Sequence, residues 1–412
     1  MASILFYTSP AKGHLFPILG AALELHRRGH QVHIRTLASE MELVRSLGLH
    51  AEPIAPEIEA RELDDWKAKS PIGAVGLAMK TFGDRAVHEV PDLQSAIQKT
   101  GADVLVVDTN SWGAQAAAEA SGLSWAVFQP YFTFLPAPEV PPFGPGFPNT
   151  NGVIGRLRNV LAGKMIFSKM NGLALPSINA IRTGLHLDPF DSLVDMVGRP
   201  HRFLYYTTKE LDYPRKGWPD HFRFVGPGLW APETLAPEAH SPDWLDDTGR
   251  PVALVTCSTE RQSDRPIVES ALQGLPDDGF FVVATSAAYD PAEMAEMAGP
   301  HTRLERFLPH DPVVERAAVV ICHGGMGITQ RALSHGVPVV VIPFGRDQLE
   351  VARRVEHAGI GVRLMPKQLN PKTLRRAVQQ ALLLRDNAEH MAAAMAKTGG
   401  DSRAADCIEE LL

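Results

Sequence analysis

The chain has 412 residues, which is too long for one ordinary core and predicts two domains. A net charge of −7, with Lys and Arg spread along the chain, argues against a general nucleic-acid binder. The chain starts with a short strand-like run that lacks a basic region before it, and no stretch approaches the length of a membrane span. Three widely spaced cysteines, without zinc-ligand spacing or an even count, indicate reduced thiols. We therefore expect a cytoplasmic protein without stable membrane insertion.

The first half of the chain alternates strand-like and helix-like segments. This alternation predicts a doubly wound α/β domain with a parallel sheet. A Pro/Gly/Phe-rich segment at 136–150 is too long for a simple connection, which predicts a functional loop. The predicted strands are 4–7, 31–35, 103–107 and 124–128, and the predicted helices are 16–28, 39–47, part of 57–99, and 113–121.

A proline-rich polar stretch then separates this set from a second alternating set. The second set has predicted strands at 252–257, 280–284, 303–307, 319–321 and 337–342. The predicted organisation is a first domain at 1–225, a linker at 226–250, a second domain at 251–387 and a terminal helix at 388–412.

The most informative motif is His323-Gly324-Gly325-Met326-Gly327, which follows an apolar run directly. A buried strand that turns into a helix through glycines lets a ligand approach the backbone. The free N–H groups and the dipole of the new helix favour a diphosphate there. A further strand ends just before Asp347 and Gln348, whose carboxylate and amide suit the hydroxyls of a sugar. The motifs together predict a nucleotide-sugar site.

The chain resembles the inverting, metal-independent glycosyltransferases of the UDP-glycosyltransferase superfamily, of the bacterial natural-product and macrolide type. The donor motif above carries the resemblance, together with the opening segment Ile4–Pro17, which contains Gly13-His14-Leu15-Phe16-Pro17, and the triplet Val225-Gly226-Pro227. The resemblance implies a GT-B fold, in which two Rossmann-like α/β domains face a central cleft. It also implies transfer of a hexose from a nucleoside diphosphate to a hydroxyl group, with inversion, without a metal and without a cofactor beyond the co-substrate.

His14 and Asp108 align with the catalytic dyad of that family. His14 follows the first strand and Asp108 ends another, and ligands gather at the carboxyl ends of strands in open α/β sheets. An imidazole has a pKa near neutral and acts best as a base when a carboxylate fixes its tautomer. The alternatives are a helix-entry histidine and an aspartate that caps the next helix.

The resemblance implies further donor contacts. The diphosphate would be held by His323, by Gly325, Met326 and Gly327, and by Ser258 and Thr259, whereas Phe307 would stack on the base and the Leu308 backbone would read its edge. Capping and core packing are the competing interpretations. Ile328, Arg331 and Val351 depart from the family pattern. Arg331 stands where a glutamate usually holds the ribose, and arginine has no acceptor. Either the ribose is held otherwise, or Arg331 turns to a phosphate or a carboxylate.

Aromatic residues are frequent in the first domain and are predicted to form an apolar acceptor pocket, in part or as a set. The candidates are Phe16, Trp66, Phe82, Trp112, Tyr131, Phe132 and Phe134, with Phe143 and Phe147 in the long loop. The expected donor is UDP-glucose and the expected acceptor is a lipophilic phenol, polyketide or macrolide. The rivals are a dTDP-deoxysugar enzyme, a non-catalytic auxiliary protein of the same fold, and an NAD-dependent oxidoreductase, which the lack of a G-x-G-x-x-G motif disfavours. The protein is expected to be a monomer or a homodimer.

Overall fold

A computed structural model describes residues 1–68, 71–150, 152–232, 243–259 and 262–412, without the side chains of Trp66, Pro71, Ile72 and Asp243. The first sheet has seven strands in the order β3-β2-β1-β4-β5-β6-β7, and the second has six in the order β10-β9-β8-β11-β12-β13. Every strand pair is parallel. The strands are β1 Ser3–Tyr7, β2 Gln31–Thr36, β3 His50–Pro53, β4 Val104–Asp108, β5 Ser124–Gln129, β6 Arg202–Tyr205, β7 Phe222–Phe224, β8 Val252–Thr256, β9 Phe281–Thr285, β10 Thr302–Glu305, β11 Ala317–Cys322, β12 Val339–Val341 and β13 Gly361–Arg363.

Helices cover the faces of these sheets, as parallel strands require. Their bounds are α1 Lys12–Arg27, α2 Met41–Ser46, α3 Pro56–Glu59, α4 Pro71–Thr100, α5 Trp112–Ser121, α6 Val153–Gly184, α7 Val194–Val197, α8 Asp243–Asp246, α9 Pro266–Gly274, α10 His310–Arg316, α11 Met326–Ser334, α12 Gln348–His357, α13 Pro371–Leu382, α14 Arg385–Thr398 and α15 Gly400–Glu409. Among the described residues, no helix has the length and apolarity that a membrane crossing needs.

The strand order places the predicted site residues. In each sheet the order reverses between two adjacent strands, β1 and β4 in the first and β8 and β11 in the second. Open α/β sheets bind ligands at this switch point, outside the carboxyl ends of the strands. His14 and Asp108 follow β1 and end β4, whereas Ser258 and His323 follow β8 and β11. The two predicted half-sites therefore lie at the switch points of the two sheets.

The C-terminal segment is two helices rather than the single helix predicted at 388–412. Gly399 separates them with a φ of +104°, a value that favours glycine. α14 stays on the second domain beside α11, and α15 packs on the first domain beside α1. Arg28, the C-cap residue of α1, donates to Asp406 at 2.7 Å and to Glu409 at 2.6 Å. α15 therefore crosses back to the first domain, and Thr398 at the end of α14 also contacts that domain through Thr208.

α12 of the second domain is tied to the first domain by a buried charge cluster. Arg354 donates to Asp212 at 2.6 Å and to Glu350 at 2.8 Å, and all three residues are buried. Glu350 also accepts hydrogen bonds from the backbone of Gly144 at 2.8 Å and Gly146 at 2.9 Å. The long loop at 136–150 and the 212 region thus dock on the same helix, and the two domains share one continuous apolar cluster.

Candidate active site

His14 and Asp108 form a direct pair at the carboxyl end of the first sheet. The distance from His14 Nδ1 to Asp108 Oδ2 is 2.8 Å. His14 lies in the first turn of α1, because this helix begins at Lys12 and not at Phe16 as predicted. Asp108 is fully buried, whereas the His14 side chain keeps 16% of its surface exposed. The carboxylate therefore holds Nδ1 of the imidazole, while part of the ring remains exposed.

Asp108 is built to stay ionised. It accepts hydrogen bonds from the backbone and hydroxyl of Ser9, at 3.0 Å each, and from the backbone of Asn110 at 2.7 Å. Burial raises the pKa of Asp108, but His14 and these hydrogen bonds outweigh it and lower the pKa below its ordinary value. An ionised carboxylate only accepts, so Nδ1 of His14 carries a proton and Nε2 is the basic atom.

Two polar residues border that basic atom. Asn110 Nδ2 lies 3.4 Å from His14 Nε2, and the Tyr131 hydroxyl donates to Asn110 Oδ1 at 2.6 Å. The Tyr131 ring meets the imidazole edge-on at 5.9 Å between centroids. Sequence reasoning missed Asn110. The available signal was its place two residues after a strand-ending aspartate, in the connection to α5.

On the other side of the cleft, the glycine-rich motif opens α11 as predicted. Gly325 is the N-cap residue, and a Cβ atom there would lie 2.7 Å from Nε2 of His323. Only glycine therefore lets this backbone pass beside the imidazole. Burial lowers the pKa of His323 to about 4, with Asp264 opposing and Arg346 reinforcing the shift. The imidazole is neutral at pH 7.

His323 also has an unused polar atom. Among the described residues, its buried Nδ1 has no hydrogen-bond partner, because the nearest carboxylate oxygen, on Asp264, is 4.0 Å away. Asp264 instead accepts from the backbone of Ser258 at 2.6 Å and from the hydroxyl of Tyr289 at 2.9 Å. Gln262 Nε2 donates to Ser258 Oγ at 3.0 Å, whereas Thr259 is exposed. Asp264 and Gln262, which sequence reasoning missed, order the turn after β8, and Gln262 also accepts from Gln348 at the start of α12.

Asp347 is the N-cap residue of α12, but its side chain accepts no capping hydrogen bond from the described backbone. Burial raises the pKa of Asp347 to about 6, with Arg346 and His14 acting against the rise. Burial is the main cause that raises the pKa of Tyr131, and the carboxylates of Asp108 and Asp347 raise it further. Asp347 is thus within electrostatic reach of the dyad across the cleft.

Gln348 contacts the backbone of the loop that precedes α12. It is buried, and its Oε1 accepts from the backbone of Phe344 at 2.7 Å and of Gly345 at 3.0 Å, while its Nε2 donates to Gln262. The Gln348 amide thus orders the loop that presents Asp347, and its predicted grip on sugar hydroxyls stays a prediction. Backbone N–H groups before a helix have no partner within the helix, and the Gln348 amide oxygen, three and four residues further along the chain, accepts from two of them.

Arg331, which stands where the family usually has a glutamate, has partners within the protein. Its guanidinium pairs with the carboxylate of Asp311 and donates to the carbonyl of Leu229 at 2.7 Å. Arg331 thus turns to a carboxylate, one of the two predicted alternatives. Phe307 follows β10 with 67% of its surface exposed, and Leu308 is half-buried against the shared apolar cluster. The exposed ring is available to a base.

The predicted acceptor aromatics separate into groups. Phe82 and Trp112 pair at 5.5 Å between centroids and share a cluster with Phe134 between α4, α5 and α6. Tyr131 borders the dyad, as described above. Phe16 instead packs against Trp230, at 5.7 Å, and the side chain of Trp66 lies outside the described residues.

Phe132 is fully buried, with the Arg354 guanidinium 4.2 Å from the centre of its ring. It offers no surface to a ligand, so the predicted acceptor contact of Phe132 is corrected to a core position. Phe143 packs on the shared apolar cluster, and Phe147 lies under Arg158.

A cavity of about 820 Å³ lies between α4 and α6, away from the dyad. Its described lining includes Arg61, Asp84, Val87 and Ile181, and none of the predicted site residues. The predicted site therefore does not coincide with this cavity. Within the described ranges, no group of three or more His, Cys, Asp or Glu side chains is arranged to hold a metal ion.

Fold and site together define a protein of the GT-B class. Residues 278–411 match the family model of the erythromycin biosynthesis protein CIII-like C-terminal domain. The chain is 29% identical over 394 residues to the 4'-demethylrebeccamycin synthase of Lentzea aerocolonigenes, covering 92% of each protein. These matches confirm the resemblance to bacterial natural-product glycosyltransferases, with an EryCIII-like C-terminal family model matching residues 278–411 and a relative that spans most of the chain.

Solved structures agree on the fold. The glycosyltransferase of kitacinnamycin has a TM-score of 0.79 at 24% identity, covering 100% of this chain and 99% of that one. The Streptomyces sp. SF2575 glycosyltransferase SsfS6, solved in complex with thymidine diphosphate, has a TM-score of 0.67 at 17% identity and covers 100% of both chains. The predicted GT-B architecture is confirmed.

Proposed function

We propose that the protein is an inverting glycosyltransferase that moves a hexose from UDP-glucose to a hydroxyl of a lipophilic small molecule, without a metal ion. The observation that carries the proposal is the His14–Asp108 pair on the first domain, with Asp347 of the second domain within electrostatic reach of His14. A base on one domain and a diphosphate cradle on the other are what a displacement at the anomeric carbon requires.

In the proposed reaction, His14 Nε2 removes the proton of the acceptor hydroxyl as its oxygen bonds to the anomeric carbon. The bond from that carbon to the diphosphate breaks, and its electron pair leaves on the diphosphate. Asp108 stabilises the imidazolium that forms. The N-terminal N–H groups of α11 and neutral His323 would receive the departing charge in place of a metal ion.

Asp347 supports a fully hydroxylated sugar, because its carboxylate is free of capping bonds and can accept from hydroxyl groups. The rival donor is a dTDP-deoxysugar, which the likeness to a thymidine diphosphate complex favours. The presence of the dyad argues against a non-catalytic auxiliary protein.

The test is a donor panel of UDP-glucose and a dTDP-deoxysugar against mixed phenolic and polyketide acceptors, read by mass increment. His14→Ala should lower turnover on the order of a hundredfold or more and leave donor affinity intact. His26→Ala, an exposed histidine on the same helix, is the matched control and should behave as wild type. Normal turnover by His14→Ala with an alcohol acceptor would show that His14 is not the base.

A further inference from the structure

The first half of α6 packs against the protein on one side and is exposed to solvent on the other. Asn159 donates to the carbonyl of Pro138, and Arg158 donates to the carbonyl of Pro148 at 2.7 Å. These bonds fasten the helix to the loop at 136–150. The side of the helix opposite Asn159 contains exposed apolar residues, which is unusual for a helix that already buries one face.

The exposed side is a continuous apolar stripe. Exposed fractions are 83% for Val153, 86% for Ile154, 58% for Leu157, 60% for Leu161 and 70% for Met165, and Val160 joins them at 39%. At 3.6 residues per turn these six side chains fall within an arc of about 140°. We call these six residues the α6 stripe. Single exposed apolar residues need no explanation, but a stripe over three turns indicates a surface that is covered in use.

The charge around the stripe is of one sign. Arg156, Lys164 and Lys169 are exposed beside it or within it, and none of them forms an ion pair with another described residue. The whole helix, residues 153–184, contains five Lys and Arg and no Asp or Glu, in a chain with a net charge of −7. The partner must therefore combine an apolar interior with negative charge at its surface.

A second copy of the chain fits this surface poorly. A two-fold contact brings the same patch of both subunits together, so the three cations would meet their own copies. A bilayer with anionic lipids fits both properties, because apolar side chains enter the acyl boundary while lysine and arginine reach the headgroups. Such contact lies in the plane of the membrane and needs no spanning helix.

We propose that the α6 stripe and its flanking cations form a peripheral docking surface for anionic phospholipid membranes. The proposal does not depend on the reaction assigned above, since it concerns binding alone. The helix would lie along the membrane with Leu157 and Leu161 towards the acyl chains and Lys164 and Lys169 towards the phosphates.

The test is cosedimentation of the full chain with vesicles of phosphatidylcholine alone and with added phosphatidylglycerol, at low and high salt. Binding should need the anionic lipid and weaken with salt. Lys164→Ala with Lys169→Ala should lower the partition coefficient roughly 25-fold, since each cation near an anionic surface contributes about fivefold. Leu157→Asp with Leu161→Asp should abolish binding. Val87→Asp, at a 56% exposed apolar residue of α4, is the matched control and should bind normally.

Several results would overturn the proposal. One is no binding to anionic vesicles, and another is equal binding by the wild type and the two double variants. A dimer that Leu157→Asp with Leu161→Asp dissociates would make the stripe a self-association surface. Loss of transfer to a water-soluble acceptor in that variant, without vesicles, would make it part of the acceptor path. Should the aspartate variant fail to fold, the lysine variant decides the question alone.

Discussion

Replacing Arg354 by methionine should destabilise the protein by about 3 kcal/mol. Arg354 is buried between Asp212 and Glu350, and methionine is long enough to fill its space without a charge. Breaking a buried ion pair by removing one partner costs about 3–5 kcal/mol, because the remaining charge is left uncompensated. Here two carboxylates would lose their shared cation.

The lower end of that range follows from the bonds that survive. Glu350 would keep its two backbone donors, Gly144 and Gly146, and Asp212 would keep the hydroxyl of Tyr205 at 2.9 Å. Methionine would also retain apolar contact with the ring of Phe132, although the cation's attraction to that ring would be lost.

The assay is urea unfolding followed by tryptophan fluorescence, with the free energy taken from the midpoint and slope. The matched control is Arg385→Met, which removes an exposed arginine paired with Glu389 and should cost under about 0.5 kcal/mol. A loss in Arg354→Met no larger than in this control would refute the idea that the cluster stabilises the interdomain contact.

Four further outcomes are expected. Full activity should persist in EDTA, and activity that returned only with magnesium or manganese would contradict the metal-free leaving-group site. Gly325→Ala should raise the donor KM strongly, because the added methyl lies 2.7 Å from His323, and calorimetry with UDP should show the same loss. Asp108→Asn should lower kcat about a hundredfold or more by releasing the tautomer of His14, with donor affinity unchanged. Because burial raises the pKa of Asp347 to about 6, its carboxylate protonates as the pH falls through that value. The ratio of kcat/KM for UDP-glucose to that for a dTDP-deoxysugar should therefore fall below pH 6, and Asp347→Ala should lower it at pH 7 and remove its pH dependence.

The strands and the strand-to-helix turns after them could be predicted because short-range signals determine them. An apolar β-branched run followed by glycines indicates a strand that turns into a helix wherever it occurs, and Gly324 to Gly327 carry that signal. The break between α14 and α15 was also available in the pair Gly399-Gly400, which a continuous helix disfavours. The helical periodicity of the segment as a whole hides this break.

What could not be predicted depends on contacts between distant parts of the chain. Asp212 and Arg354 are 142 residues apart, and neither has a local pattern that names the other. The burial of Phe132 follows from the same cluster, because the Arg354 guanidinium covers its ring. The backbone contacts of Gln348 could not be predicted either, because an amide beside a carboxylate looks the same in sequence whether it faces a ligand or the backbone of Phe344 and Gly345.

α12 therefore carries both a predicted sugar contact, Asp347, and the charge cluster that joins the two domains. Asp347 stands at its first turn, facing the dyad, whereas Glu350 and Arg354 follow three and seven residues later and lie on the same side of the helix. The cluster that joins the domains therefore lies on the same helix whose N-cap residue is Asp347. A half-site on each domain works only when the distance between them is fixed, and a buried, hydrogen-bonded arginine fixes it more rigidly than apolar contact alone, because its donors have defined directions.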